Sequence, residues 1–172
     1  MLKKLTCLAL AFFLCVGAII IGTPVNAASE MKTSDACITV IKLEEGFSKT
    51  PYWDYAQYTV GYGTRCPEDM RNYYTQNGIT VEEAETLLRN HLLGVERELN
   101  NFLNKNGLTF NQGQFDAMVS LSYNCGTSWM YSTNGNLTKA VLNQKTGSEF
   151  LRAISLWCTA DRSFSICALQ NR

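Results

Sequence analysis

The chain has 172 residues, a single histidine and fifteen basic against fifteen acidic side chains. That length suits one domain able to bury a core without metal or dense cross-linking. Balanced charge and the lack of any Lys/Arg run argue against a nucleic-acid partner.

The first 27 residues read apart from the rest. Lys3 and Lys4 precede an apolar run from Leu5 to Ile21, followed by Gly22, Pro24 and the small-residue stretch Val25-Asn26-Ala27. That order of regions describes a secretory signal, cut after Ala27, which implies extracellular or periplasmic action. The rival reading is a membrane anchor, retained or releasable, because the apolar run falls just short of the usual spanning length. Without residues 1–27 the chain keeps thirteen basic against fifteen acidic side chains, so an anionic polymer must be held by local contacts. Five cysteines remain, Cys37, Cys66, Cys125, Cys158 and Cys167, with no Cys-x-x-Cys pair. With His91 as the lone histidine, neither a metal site nor a cofactor is expected. An oxidising compartment favours one or two disulfides. The expected pairings are Cys37–Cys66 and Cys158–Cys167, with Cys125 as a buried lone thiol.

Ala28 to Lys32 read as a polar leader. Thr33 or Ser34 caps a helix through DACITVIKLEE, with Cys37, Ile38, Val40 and Ile41 on one apolar arc. Glu44 and Glu45 both fall in or beside that arc, and periodicity does not choose between them. Gly46 ends the helix. Tyr58, Val60 and Tyr62 then alternate with Thr59, Gly61 and Gly63, a strand pattern with one bulky and one bare face. Tyr52-Trp53-Asp54 is its partner strand, with residues 55–57 turning between them. Residues 64–79 read as a loop holding at most a short third strand. A capping box, Thr80 with Glu83, opens a long helix to about residue 103, and a second, Asn111 with Gln114, opens a helix ending at Asn124-Cys125-Gly126. Residues 127–136 are a Ser/Asn/Gly-rich connection. Helices over 137–144 and 148–157 follow, and the last fifteen residues lack pattern. This predicts an α+β fold in which a small β lobe and a larger helical lobe are joined by the long helix, with a cleft between them.

Two carboxylates on different elements flanking a turn suit glycosidic-bond cleavage. The segments Glu45-Gly46-Phe47, Tyr52-Trp53-Asp54 and Thr59-Val60-Gly61-Tyr62-Gly63 carry a resemblance. So do Ile79-Thr80, Glu83-Ala84-Glu85, Gln114 to Ser120 and Asn124-x-Gly126. In that order they resemble the phage-type lysozymes, the endolysins of glycoside hydrolase family 24. The resemblance implies a lysozyme-like fold and cleavage of the bond between N-acetylmuramic acid and N-acetylglucosamine in peptidoglycan. It also selects Glu45 over Glu44, because the family's acid directly precedes Gly.

Glu45 would be the general acid, Asp54 an ionised base or electrostatic partner, and Thr59 a holder of the attacking water. Asn124 matches a substrate-binding position whose amide would bond a sugar acetamido group. His91, where the family often carries an acid, reads as a structural contact between lobes. Trp157 and the aromatics Tyr52, Trp53, Tyr55, Tyr58 and Tyr62 read mainly as packing, with stacking on sugars as their functional alternative. The chain also departs from the family. Four residues rather than five separate Asp54 from Thr59, the hairpin turn lacks Gly, Thr64 replaces a common His, and the C-terminal motif survives only as Ala168 to Arg172. The expectation is a monomeric peptidoglycan hydrolase without stable membrane association. Its rivals are a catalytically weak wall-binding or effector domain and a lytic transglycosylase, which needs one acid and no water-activating Asp.

Overall fold

The structure, a computed structural model, describes residues 30–54 and 56–160. The signal segment, Tyr55, the Cys158–Cys167 pairing and the Ala168–Arg172 end lie outside the described residues.

Helix α1 spans Asp35–Glu45. Ser34, rather than Thr33, is its N-cap, the Oγ accepting from Cys37 N at 3.2 Å. Gly46 ends it at φ 70, a conformation that costs Gly little, and its N–H donates to Lys42 O. Cys37, Ile38 and Ile41 are its buried residues.

An antiparallel sheet follows, β1 (Ser48–Asp54), β2 (Gln57–Gly61) and β3 (Thr64–Arg65), in the order β1-β2-β3. Asp54 pairs with Gln57, so the hairpin turns over two residues rather than the expected three. The register shifts between Ser48 and Tyr52, where Pro51 cannot donate to a ladder and β1 is an edge strand.

Residues expected as loop form helix α2 (Arg71–Asn77), which packs on β1. Its sequence, RNYYTQN, has no apolar period, and only Tyr74 is buried. Helix α3 (Val81–Lys105) carries the expected Thr80/Glu83 box, and helix α4 (Gln112–Cys125) the Asn111/Gln114 box. The α3 stripe of Ala84, Leu88, Leu92, Val95, Leu99 and Phe102 lies in the core. β2 and β3 pack on α3, and so does α4. Helix α5 (Asn136–Leu142) and helix α6 (Gly147–Ala160) pack on each other. Between α4 and α5 the expected loop holds a 3-10 turn, Ser128–Tyr131, whose Trp129 is fully buried. Its indole N–H donates to Ser122 Oγ at 2.9 Å and its ring meets Phe102 edge-on.

Of the polar leader expected over residues 28–32, Met31 and Lys32 are stitched onto α3 and α4, together with the cap candidates Thr33 and Ser34. Asn100 bonds both the N–H and the C=O of Met31 at 2.9 Å, and Glu96 accepts from Thr33 N at 2.8 Å. Asp116 accepts from Ser34 N at 3.0 Å and Ser34 Oγ at 2.6 Å, while Gln112 donates to Lys32 O. These acceptors are buried, and the strap satisfies them. Cys37 and Cys66 are free thiols, not a disulfide. Cys37 Sγ donates to Asp116 O on α4 and Cys66 Sγ to Pro67 O, so each has its own neighbour. Cys125, expected to be buried, is only half-buried near the end of α4.

Candidate active site

Glu45 is the last residue of α1 and Asp54 the last of β1, so each carboxyl sits where an element stops. Glu45 is half-buried and Glu44 exposed. A Cβ built on Gly63 would lie 2.7 Å from Glu45 Oε2 and 3.2 Å from its Cδ. The Glu45 carboxyl therefore rests on bare backbone just beyond β2, at a position with φ +83. The bare face of the glycine pattern thus takes up a side chain there.

The turn carrying Gly63 is fixed from several directions. Tyr123 on α4 donates its hydroxyl to Tyr62 O at 2.5 Å. The Tyr62 ring lies 5.5 Å from Phe47 and has Lys42 Nζ 5.0 Å over its centroid. Lys42 also bonds Glu85 at 2.8 Å, and Glu85 bonds Arg89 on the next turn of α3 at 2.9 Å. That hydrogen bond from Lys42 holds the Glu85 carboxyl below its usual range, and the same bond raises the Lys42 ammonium. On the inner side, Gly61 sits so close to Ala84 of α3 that an added Cβ would meet the Ala84 Cβ at 2.7 Å. Thr64 donates its hydroxyl to Val60 O at 3.1 Å and so closes the turn on itself.

The hairpin register brings Asp54 and Thr59 onto one face. Asp54 pairs with Gln57 and Thr59 with Tyr52, and side chains two apart on a strand point the same way. Asp54 and Thr59 are thus diagonal cross-strand neighbours despite their short spacing. Thr59 is fully buried, and its Oγ1 has no hydrogen-bond partner among the described residues. Buried hydroxyls are rarely left in that state.

The other candidates are placed differently. Asn124, half-buried, donates its amide N–H to Ser120 O at 3.0 Å within its own helix. His91 is exposed on α3 and meets Tyr123 edge-on at 5.0 Å. Crowding on its covered side lowers its pKa below 6.5. Tyr62 is buried, Tyr52 and Trp157 half-buried, and Trp53 and Tyr58 exposed. Sequence reasoning missed Tyr123 and Lys42, which hold the turn. The only signal for Tyr123 is its place directly before Asn124.

The phage lysozyme family model matches residues 42–172, about three quarters of the chain. Two phage proteins are similar. A SAR-endolysin of Haemophilus phage HP1 is 29% identical over 113 residues, which is 61% of this chain and 52% of that protein. The endolysin of Salmonella phage P22 is 29% identical over 143 residues, 83% of this chain and 94% of that protein. The chain thus spans about half the length of the first relative and nearly all of the second. The family match runs through Gly46, the hairpin and the glycine turn against which the Glu45 carboxyl rests, and this chain belongs to the phage lysozyme family.

Proposed function

We propose that the chain is an exported peptidoglycan hydrolase that cuts the β-1,4 bond between N-acetylmuramic acid and N-acetylglucosamine. The observation that carries this reading is the Glu45 carboxyl seated on Gly63, next to the hairpin bearing Asp54 and Thr59. Glu45 gives its proton to the glycosidic oxygen as the bond to the anomeric carbon breaks. Water attacks the anomeric carbon from the other side, and Asp54 takes the water's proton. Thr59 Oγ1, otherwise unpartnered, bonds that water. Asn124, anchored by one amide N–H to Ser120 O, accepts an acetamido N–H of the glycan on its Oδ1. The glycan lies in a cleft between the sheet and the helices, and the enzyme acts as a monomer on the wall after export by its N-terminal segment.

Clearing of purified cell walls by Glu45→Gln tests the reading. The amide has no proton to deliver, so the rate should fall by about two to four orders of magnitude with the fold unchanged. Clearing as fast as the parent's would rule Glu45 out as the acid. The released muropeptides should end in reducing sugars, whereas anhydro ends would indicate a transglycosylase.

A further inference from the structure

The face of the hairpin opposite Asp54 carries a feature that hydrolysis does not use. Trp53 and Tyr58 pair across β1 and β2, so both rings leave the sheet on the side away from Asp54 and Thr59. Trp53 is 60% exposed and Tyr58 38%. The rings stand 5.2 Å apart at 77°, a corner with one flat wall and one edge. They line a hollow of about 240 Å³, whose other walls include Arg65, Cys66, Glu68 and Arg71.

The two arginines differ. Arg65 is paired with Glu68 at 2.9 Å. Arg71 lies over the Tyr58 ring at 4.6 Å, and no carboxylate of a described residue pairs with it. A guanidinium stacked on a ring is oriented with its N–H fork still available, the geometry that takes a carboxylate or phosphate. Exposed aromatic rings beside polar groups suit the apolar faces of pyranose sugars. With no net positive charge on the chain, nucleic acid is a poor fit for the same hollow.

We propose that this hollow is a second saccharide site, which seats a sugar ring on Trp53 and Tyr58 and holds an anionic substituent of that chain on Arg71. It rests on the hydrolase reading and extends it. β1 is an edge strand, and Trp53 is the neighbour of Asp54 on the other face, so a wall polymer crossing that edge passes from one site to the other. The hollow gives the enzyme a hold on charged wall that the lytic centre lacks. Two sources offer the anion, the carboxylates of the stem peptides and the phosphates of anionic wall polymers.

The test measures sedimentation with purified walls, in the Glu45→Gln background so that binding is read without cleavage. Trp53→Ala and Arg71→Gln should each weaken binding about five- to tenfold, while Arg71→Lys, which keeps the charge and loses the fork, should be intermediate. If the Arg71→Gln defect disappears on peptide-free glycan strands, the anion is a peptide carboxylate. If it disappears on walls stripped of phosphate polymers, the anion is a phosphate. Binding of both variants equal to the parent on every wall overturns the site. Failure of the hydrolase reading would show separately, as clearing by Glu45→Gln, and would leave these binding ratios readable.

Discussion

Gly63 and Gly61 stand two residues apart and should respond differently to the same methyl group. At Gly63 the methyl meets the far end of the Glu45 side chain, which can swing away. Gly63→Ala should therefore cost about 1–2 kcal/mol for its positive φ, yet reduce wall clearing by tenfold or more because the acid is displaced. At Gly61 the methyl meets the Ala84 Cβ at 2.7 Å and its Cα at 3.3 Å. The helix backbone cannot step aside, so Gly61→Ala should show the greater loss of melting temperature. Melting curves and clearing rates on the two variants check the contrast, and equal activity of Gly63→Ala and parent would mean that Glu45 does not need its seat. Sequence foresaw the bare face but not its occupants, because which side chain reaches a glycine is a matter of tertiary contact.

At the scale of elements, α1 is held mainly at its start. Asp116 accepts from Ser34 N, Ser34 Oγ and Gln112 Nε2, all within 3.0 Å, and is itself 4% exposed. Asp116→Ala would leave the half-buried donors of Ser34, the N-cap of α1, without their acceptor, and should cost about 1–3 kcal/mol. Chemical denaturation gives the value directly. A loss below half a kcal/mol would mean that water replaces the carboxyl there. The helices α3 and α4 were legible because their capping boxes and apolar stripes are local signals. The strap before α1 was not, since its partners lie 63 to 82 residues away in sequence. Helix α2 and Trp129 escaped for a related reason. One has no apolar period, and the other is a core residue inside a turn-forming stretch, so tertiary burial decides both.

The whole molecule should be most stable between mildly acidic and mildly alkaline pH. Burial, with the nearby Asp116 adding to it, pushes the Cys37 thiol up to about 12 from 9.0. The folded chain keeps that proton, so the stabilisation is complete below about 9 and is lost as pH rises toward 12. Burial raises the Tyr74 phenol in the same sense. His91 acts at the other limb. Desolvation lowers it below 6.5, so its contribution is present above 6.5 and is lost as pH falls through the folded value. Melting temperature against pH should thus show a plateau with two falling limbs. Cys37→Ala should lower the plateau and flatten the alkaline limb, while His91→Gln should flatten the acid limb alone. Limbs unchanged in both variants would assign the pH dependence elsewhere.

The strap from Met31 to Ser34 also bears on how the domain can be produced and processed. Its main-chain groups bond the buried Glu96, Asn100 and Asp116 and the exposed Gln112 of α3 and α4, so it is a fixed part of the body rather than a spacer. A peptidase that separates the N-terminal segment from the domain therefore has a hard limit, with its usable cut positions upstream of Met31. The same limit governs tags and fusion partners, whose flexible joint belongs before the strap. A joint placed within it would tug on the first turn of the helix that ends in Glu45.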